Sequence, residues 1–228
     1  MHRVRVPGMN WLFSSFIAFL LIPLLIALAA CQAPQQAPAG TMSAPPSAPA
    51  TTQLPSQPAA SATPSPSVDS WVADGVISPG EYQNKQVYGD YEINWSNNDQ
   101  NVCLGIKAKT PGWVAVGFGA ESFMNHADII QGYFSSSNSA IVLDEFSTGN
   151  FGPHPDDTTL GGKYNILESG GKQEGGYSVV EFKRKLDTGD AYDRPLVKGA
   201  NKIIWAYGSD NQFLIKHMNR GEGEIVIQ

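Results

Sequence analysis

From residue 70 onward the chain is a succession of short runs rich in Val, Ile, Tyr, Phe and Trp, cut at short intervals by Gly, Asn, Asp or Pro, and 21 of its 23 glycines fall in this part. That texture admits few folds. β-Branched and aromatic side chains suit a pleated, half-buried surface, and glycine at this density weakens helices. No window carries an apolar stripe at helical spacing for more than two turns. Nine strands are expected, over residues 91–95, 102–109, 112–119, 129–134, 140–144, 164–168, 177–183, 202–207 and 224–227. So many short strands predict an all-β fold, an antiparallel immunoglobulin-like β-sandwich. Turns are expected at Ser169-Gly170-Gly171, Gln173-Glu174-Gly175-Gly176 and Asp187-Thr188-Gly189-Asp190, where glycine supplies positive φ.

The N-terminal part has a different character. Residues 11–30 carry no charged side chain, Arg3 and Arg5 precede them, and Leu28-Ala29-Ala30 leads into Cys31. Basic flank, apolar run and small residues before a cysteine read as a bacterial lipoprotein signal peptide over residues 1–30, with lipidation on Cys31. Ser14, Ser15 and Pro23 interrupt the run, which argues against a permanent membrane span. Residues 32–68 contain no charge and are dominated by Pro, Ala, Ser, Thr and Gln. Such a segment buries too little apolar surface to offset the entropy of ordering, so residues 31–69 are expected to be a disordered linker between a lipid anchor and a domain over 70–228. The expected location is the bacterial cell envelope, on the extracytoplasmic face, with the membrane as partner.

Removing Arg3 and Arg5 with the signal leaves 13 basic and 21 acidic residues, a net charge of −8. An acidic body excludes nucleic acid as a partner, because phosphate binding needs clustered Lys and Arg. After lipidation Cys103 is the one remaining cysteine, and its place in Val102-Cys103-Leu104 predicts a small buried hydrophobe. Gly-x-Ser-x-Gly, His-Glu-x-x-His and phosphate-binding glycine loops are all absent from the sequence. No catalytic residues are therefore assigned, and the protein is not expected to be an enzyme.

Two segments stand apart. One is Gly112-Trp-Val-Ala-Val-Gly-Phe-Gly119, followed by Glu-Ser-Phe-Met124-Asn-His126-Ala-Asp128; the other is Ile203-Ile-Trp-Ala-Tyr-Gly208, followed by Lys216-His217. With Asp74-Gly75 and Gly80-Glu81-Tyr82 ahead of them, the chain resembles the DOMON domain family, β-sandwiches related to the haem domain of cellobiose dehydrogenase, across nearly all of residues 70–228. In the haem-carrying branch of that family, the resemblance implies a b-type haem between a methionine after this strand and a histidine near the C-terminal end. Those roles fall on Met124 and His217, axial ligands to haem iron that suit one-electron transfer. Without Cys-x-x-Cys-His the haem would be held non-covalently.

Residue type alone leaves Met124 as a core filler and His217 as a surface histidine, and Met218 and His126 are rival ligands nearby. Trp113, Phe118, Phe123, Tyr207 and Phe213 are expected to form an apolar slot, with Lys216 and Arg220 on the propionates; the alternative for each aromatic is ordinary core. Tyr133 and Trp205 are given to the core. Asp187, Asp190 and Asp193, with Asp156 and Asp157 in a second acidic turn, offer oxygen ligands for a structural calcium ion, against the simpler reading of turn chemistry. Two functions remain open. Either the domain is a lipid-anchored haem carrier passing single electrons to a redox partner protein, or it is a haem-free module binding a carbohydrate or other small ligand on Trp95, Tyr133 or Trp205.

Overall fold

A computed structural model describes residues 67–228. The expected signal peptide, Cys31 and the linker as far as residue 66 lie outside the described residues. Two five-stranded antiparallel sheets form a sandwich. The strands are β1 (Asn84–Tyr88), β2 (Tyr91–Asn97), β3 (Asn101–Ala108), β4 (Val114–Phe118), β5 (Asp128–Phe134), β6 (Ala140–Phe146), β7 (Ile166–Glu174), β8 (Tyr177–Lys185), β9 (Gly199–Tyr207) and β10 (Asn219–Ile227), with one short helix, α1 (Asp157–Leu160). The first sheet runs β1-β2-β3-β8-β7 and the second β10-β9-β4-β5-β6. Among the described residues no helix is long and apolar enough to cross a membrane.

Alternation fills the space between the sheets. From the first come Tyr91, Ile93, Trp95, Leu104, Ile106, Val180 and Phe182; from the second, Val114, Val116, Phe118, Ile130, Ile203, Trp205, Tyr207 and Ile225, all in one buried cluster. Each such side chain contributes about 1.5–3 kcal/mol by leaving water. Residues 67–82 lie over the outer face of the first sheet, where Val68 and Trp71 bury Cys103. As expected, that thiol is a packed hydrophobe, and burial pushes its pKa up to about 12.

All nine expected strands are present, and a tenth was not legible. β1 is a polar edge strand, Asn-Lys-Gln-Val-Tyr, wet on most of its surface, so it lacks the apolar alternation that marks a strand facing a core. The turn expected at Ser169-Gly170-Gly171 is instead the middle of β7. Glycine is needed there for close approach, since a Cβ on Gly170 would run into the Ala73 carbonyl. The next turn is as expected: Gly175 and Gly176, at φ +61° and +83°, join β7 to β8 in a two-residue hairpin loop.

Candidate functional site

The outer face of the second sheet carries an unusual floor. Cross-strand partners share a face, so register reads it directly. One row runs Gln131, Ala115, Ala206, Arg220 across β5, β4, β9 and β10; the next runs Ile129, Gly117, Ile204, Glu222. The centre of the first row is two alanines and that of the second sets Gly117 beside Ile204, where a Cβ on the glycine would press on Ile204 at 2.8 Å. Trp113, Ala115, Ala127 and Ile129 form a second buried cluster here, with Met124, Tyr133, Ile204 and Ala206 packed against it. Trp113 Nε1 is buried in that cluster with no hydrogen-bond partner, an orphaned donor on a face that the sandwich core does not need.

Met124 enters from the loop after β4. The loop is tightly wound: Asn125 N–H donates to Ser122 O at 2.9 Å and Ala127 N–H to Met124 O at 3.0 Å. Phe123 and His126, on either side of Met124, are held at φ +52° and +57°, a left-handed conformation that is uncommon for bulky residues and marks stored strain. His217 enters from the other end. Met218 N–H donates to Tyr207 O at 2.8 Å, and Gly208 N–H to Trp113 O at 2.9 Å, so this segment meets the face at the start of β4. The two segments are thus attached at opposite ends of β4, a strand about 13 Å long at roughly 3.3 Å per residue step. His217 is half-buried, and its pKa is lowered by burial and then by Arg220 and Lys216, which favours a neutral imidazole. Two open recesses flank the floor. One of about 480 Å³ takes in Ala120, Phe123 and Ile204 beside the Met124 loop, and one of about 380 Å³ lies under residues 211–215 and Tyr133.

Of the other expected slot residues, Trp113 and Phe213 reach this face, Phe213 by stacking on Tyr133 at 5.0 Å. Arg220 stands on the floor's edge, and Lys216 is exposed in the segment that bears His217. Phe123 is exposed and lies against Phe151, ring centroids 5.0 Å apart and tilted by 42°, at the rim. Phe118 and Tyr207 do not belong to the slot: both point into the core between the sheets, Phe118 under the Arg184 guanidinium and Tyr207 against Trp205. Strand parity is the reason, because Trp113 and Phe118, five positions apart, cannot share a face. The rival ligands are otherwise engaged or exposed. His126 pairs with Glu121 at 3.0 Å and stacks on Phe146, while Met218 lies largely in solvent.

Tyr133 is an outer-face residue, contrary to its assignment to the core, whereas Trp205 is core as expected. Trp95 and Trp205 are both buried and so cannot serve as open platforms for a sugar. The acidic turn also sorts differently. Asp187 and Asp190 accept hydrogen bonds from Gly189 N–H, and from Lys163 and Tyr192 N–H, as turn residues do. Asp156 is exposed, while Asp157 and Asp193 turn inward, away from the surface site that their sequence suggested.

Compared with known proteins, residues 83–208 match the DOMON domain. MOXD1 homolog 1 of Drosophila melanogaster is 27% identical over 129 residues, which make up 54% of this chain and 18% of the fly protein. DBH-like monooxygenase protein 1 of Homo sapiens is 25% identical over 119 residues, 52% of this chain and 18% of the human protein. The chain therefore spans less than a fifth of the length of these curated relatives. Among solved structures, the cytochrome b domain of pyranose dehydrogenase from Coprinopsis cinerea aligns with a TM-score of 0.45 at 15% identity, over 60% of this chain and 76% of that one. The cytochrome domain of Myriococcum thermophilum cellobiose dehydrogenase aligns with a TM-score of 0.44 at 12% identity, over 60% and 75%.

Proposed function

The chain belongs to the DOMON family, and on that premise we propose that its sandwich holds a non-covalent b-type haem on the outer face of the second sheet and serves as a one-electron carrier. The observation that carries this reading is the floor of Ala115, Gly117 and Ala206, with the Met124 loop at one end of β4, the segment bearing His217 hydrogen-bonded at the other, and Trp113 Nε1 unsatisfied in the cluster on that face. A flat ring needs such a floor, because larger side chains would fill the space that it occupies. When bound, the haem would supply a one-electron iron couple, and a thioether and an imidazole as its ligands would favour reversible electron transfer over oxygen binding.

The chain's own residues do the rest. Met124 and His217 are the residues that would hold the iron, and the strained 120–127 loop fixes where the sulfur sits. Arg220 and Lys216 would hold the carboxylates by charge-assisted hydrogen bonds, and the indole N–H of Trp113, which has no partner of its own, would offer a further donor. Tyr133 and Phe213 close the apolar side. No residue in this arrangement is given a catalytic step, so the role is transfer to a redox partner protein. The sequence around Cys31 supports placing that transfer at the extracytoplasmic face of a bacterial membrane, on a lipid tether.

A visible spectrum tests the reading. The purified full-length chain, incubated with haemin, should give a Soret band and sharp α and β bands on dithionite reduction. Met124→Leu should retain haem but become five-coordinate or high-spin, and His217→Ala should lose it. If no Soret band develops after reconstitution, the haem reading fails.

A further inference from the structure

Beneath the Met124 loop, at the start of β5, lies a second arrangement that the haem reading does not use. Asp128 of β5, Asp144 of β6, Asp157 of α1 and Asp193 of the segment before β9 are all buried, at 0, 2, 0 and 4% exposure. Three of them hold one oxygen on the protein. Asp128 Oδ2 accepts from the Arg184 guanidinium and from Arg194 N–H at 2.8 Å, Asp144 Oδ2 from Asn165 N–H at 2.7 Å, and Asp193 Oδ2 from Asn165 Nδ2. Their other oxygens have no hydrogen-bond partner. One oxygen from each of Asp128, Asp144 and Asp193 lies within 4.8 Å of the others. Asp157 adds the independent sign: it is fully buried, neither of its oxygens has a hydrogen-bond partner, and the charged groups that act on it most strongly are Asp144, Asp128 and Asp193.

One guanidinium, Arg184, pairs with Asp128 and reaches Asp193 Oδ1 at 4.0 Å. Burial, then the neighbouring carboxylates, holds Asp144 and Asp157 well above the usual carboxylate range, so without a further cation beside them they are driven toward the neutral acid. An uncompensated buried charge is among the costliest features that a fold can carry. A carboxylate with one oxygen on a protein donor and the other free is also prepared to bind an ion through a single oxygen. We propose that Asp128, Asp144 and Asp193 bind one calcium ion, with Asp157 completing the acidic lining beside them. The donor set is all oxygen, which calcium takes at about 2.3–2.6 Å in flexible geometry; two oxygens across such an ion lie up to about 5 Å apart, whereas magnesium's shorter bonds allow only about 4.2 Å. The ion ties β5, β6 and the segment before β9 to one point, with α1 beside it, directly behind the loop that carries Met124, since Arg194 also donates to His126 O at 2.9 Å.

Thermal melting and titration calorimetry of the full chain, stripped with EGTA and then titrated with calcium chloride, test this without any haem. The expected result is one calcium per chain and a rise in Tm of several degrees, with a much smaller rise at equal magnesium. Asp157→Asn and Asp144→Asn keep size and relieve repulsion, so both should fold in EGTA yet lose the calcium-dependent rise. Three outcomes overturn the proposal: no binding at millimolar calcium, an equal response to magnesium, or a calcium response retained in both variants.

Discussion

Replacing Arg184 by Met isolates the electrostatics of the buried centre. The side chain is 1% exposed and its guanidinium is the only cation paired with Asp128 among the described residues. Methionine keeps the length and the contact with Phe118, so the lost packing is small while the lost charge is complete. Removing one partner of a buried ion pair costs about 3–5 kcal/mol, because the remaining charge stays buried alone. For a domain of this size each kcal/mol moves Tm by about 2–4 °C, so Arg184→Met should melt roughly 6–20 °C below the wild type in EGTA. Adding Asp128→Asn should recover part of the loss, since the deserted carboxylate is then gone. Differential scanning fluorimetry with a urea midpoint on the same samples gives the answer. A single variant that melts within about 2 °C of wild type, the range of ordinary surface substitutions, would mean that the pair is not the electrostatic keystone described here.

Other expectations concern separate parts of the molecule. His154 Nδ1 lies 3.1 Å from Glu145 Oε2, a contact that raises the histidine's pKa above its usual 6.5, while burial outweighs the same contact at Glu145 and raises that carboxyl too. NMR titration should find His154 above 6.5 and find it lowered in Glu145→Gln; the histidine's own contribution to stability should be full below 6.5 and fade as pH rises through its folded value. Gly170→Ala should drive a methyl into the Ala73 carbonyl and loosen residues 67–82, which thiol labelling of the otherwise protected Cys103 would register as faster reaction in native buffer. Leu104→Ala, at a fully buried central position, should cost about 2–5 kcal/mol by urea unfolding. Mass spectrometry of membrane-extracted protein should find acyl groups on Cys31 and no residues before it; an intact Met1 terminus would refute the processing.

Much of the fold was legible in the residues. Period-two alternation in stretches such as Tyr91, Ile93, Trp95 and Val102, Leu104, Ile106 announces strands with one buried face, and it depends only on the pleat. Parity also carried a signal that was available but unused: Phe118 falls with Val114 and Val116, and Tyr207 with Trp205, so both belong to the core and not to the slot. β1 was illegible because a wet edge strand has no apolar period, and Gly170 misled because a glycine required by a neighbouring backbone looks the same as one required by a turn.

What the sequence alone determined is everything that depends on neighbours along the chain: strand periodicity, the two-glycine hairpin, the uncharged linker composition and the Met124 and His217 candidates. Tertiary structure decided which distant residues meet. Only the register of β4 against β5 and β9 makes Ala115, Gly117 and Ala206 one continuous floor. Only the packing of separated segments brings Asp128, Asp144 and Asp193 to a common point, with Asp157 buried beside them, where aspartates that look ordinary along the chain raise one another's pKa. The physical reason is range: backbone preferences act over a few residues and show in composition and period, whereas electrostatic and steric coupling acts through space between positions as much as 65 residues apart, Asp128 and Asp193.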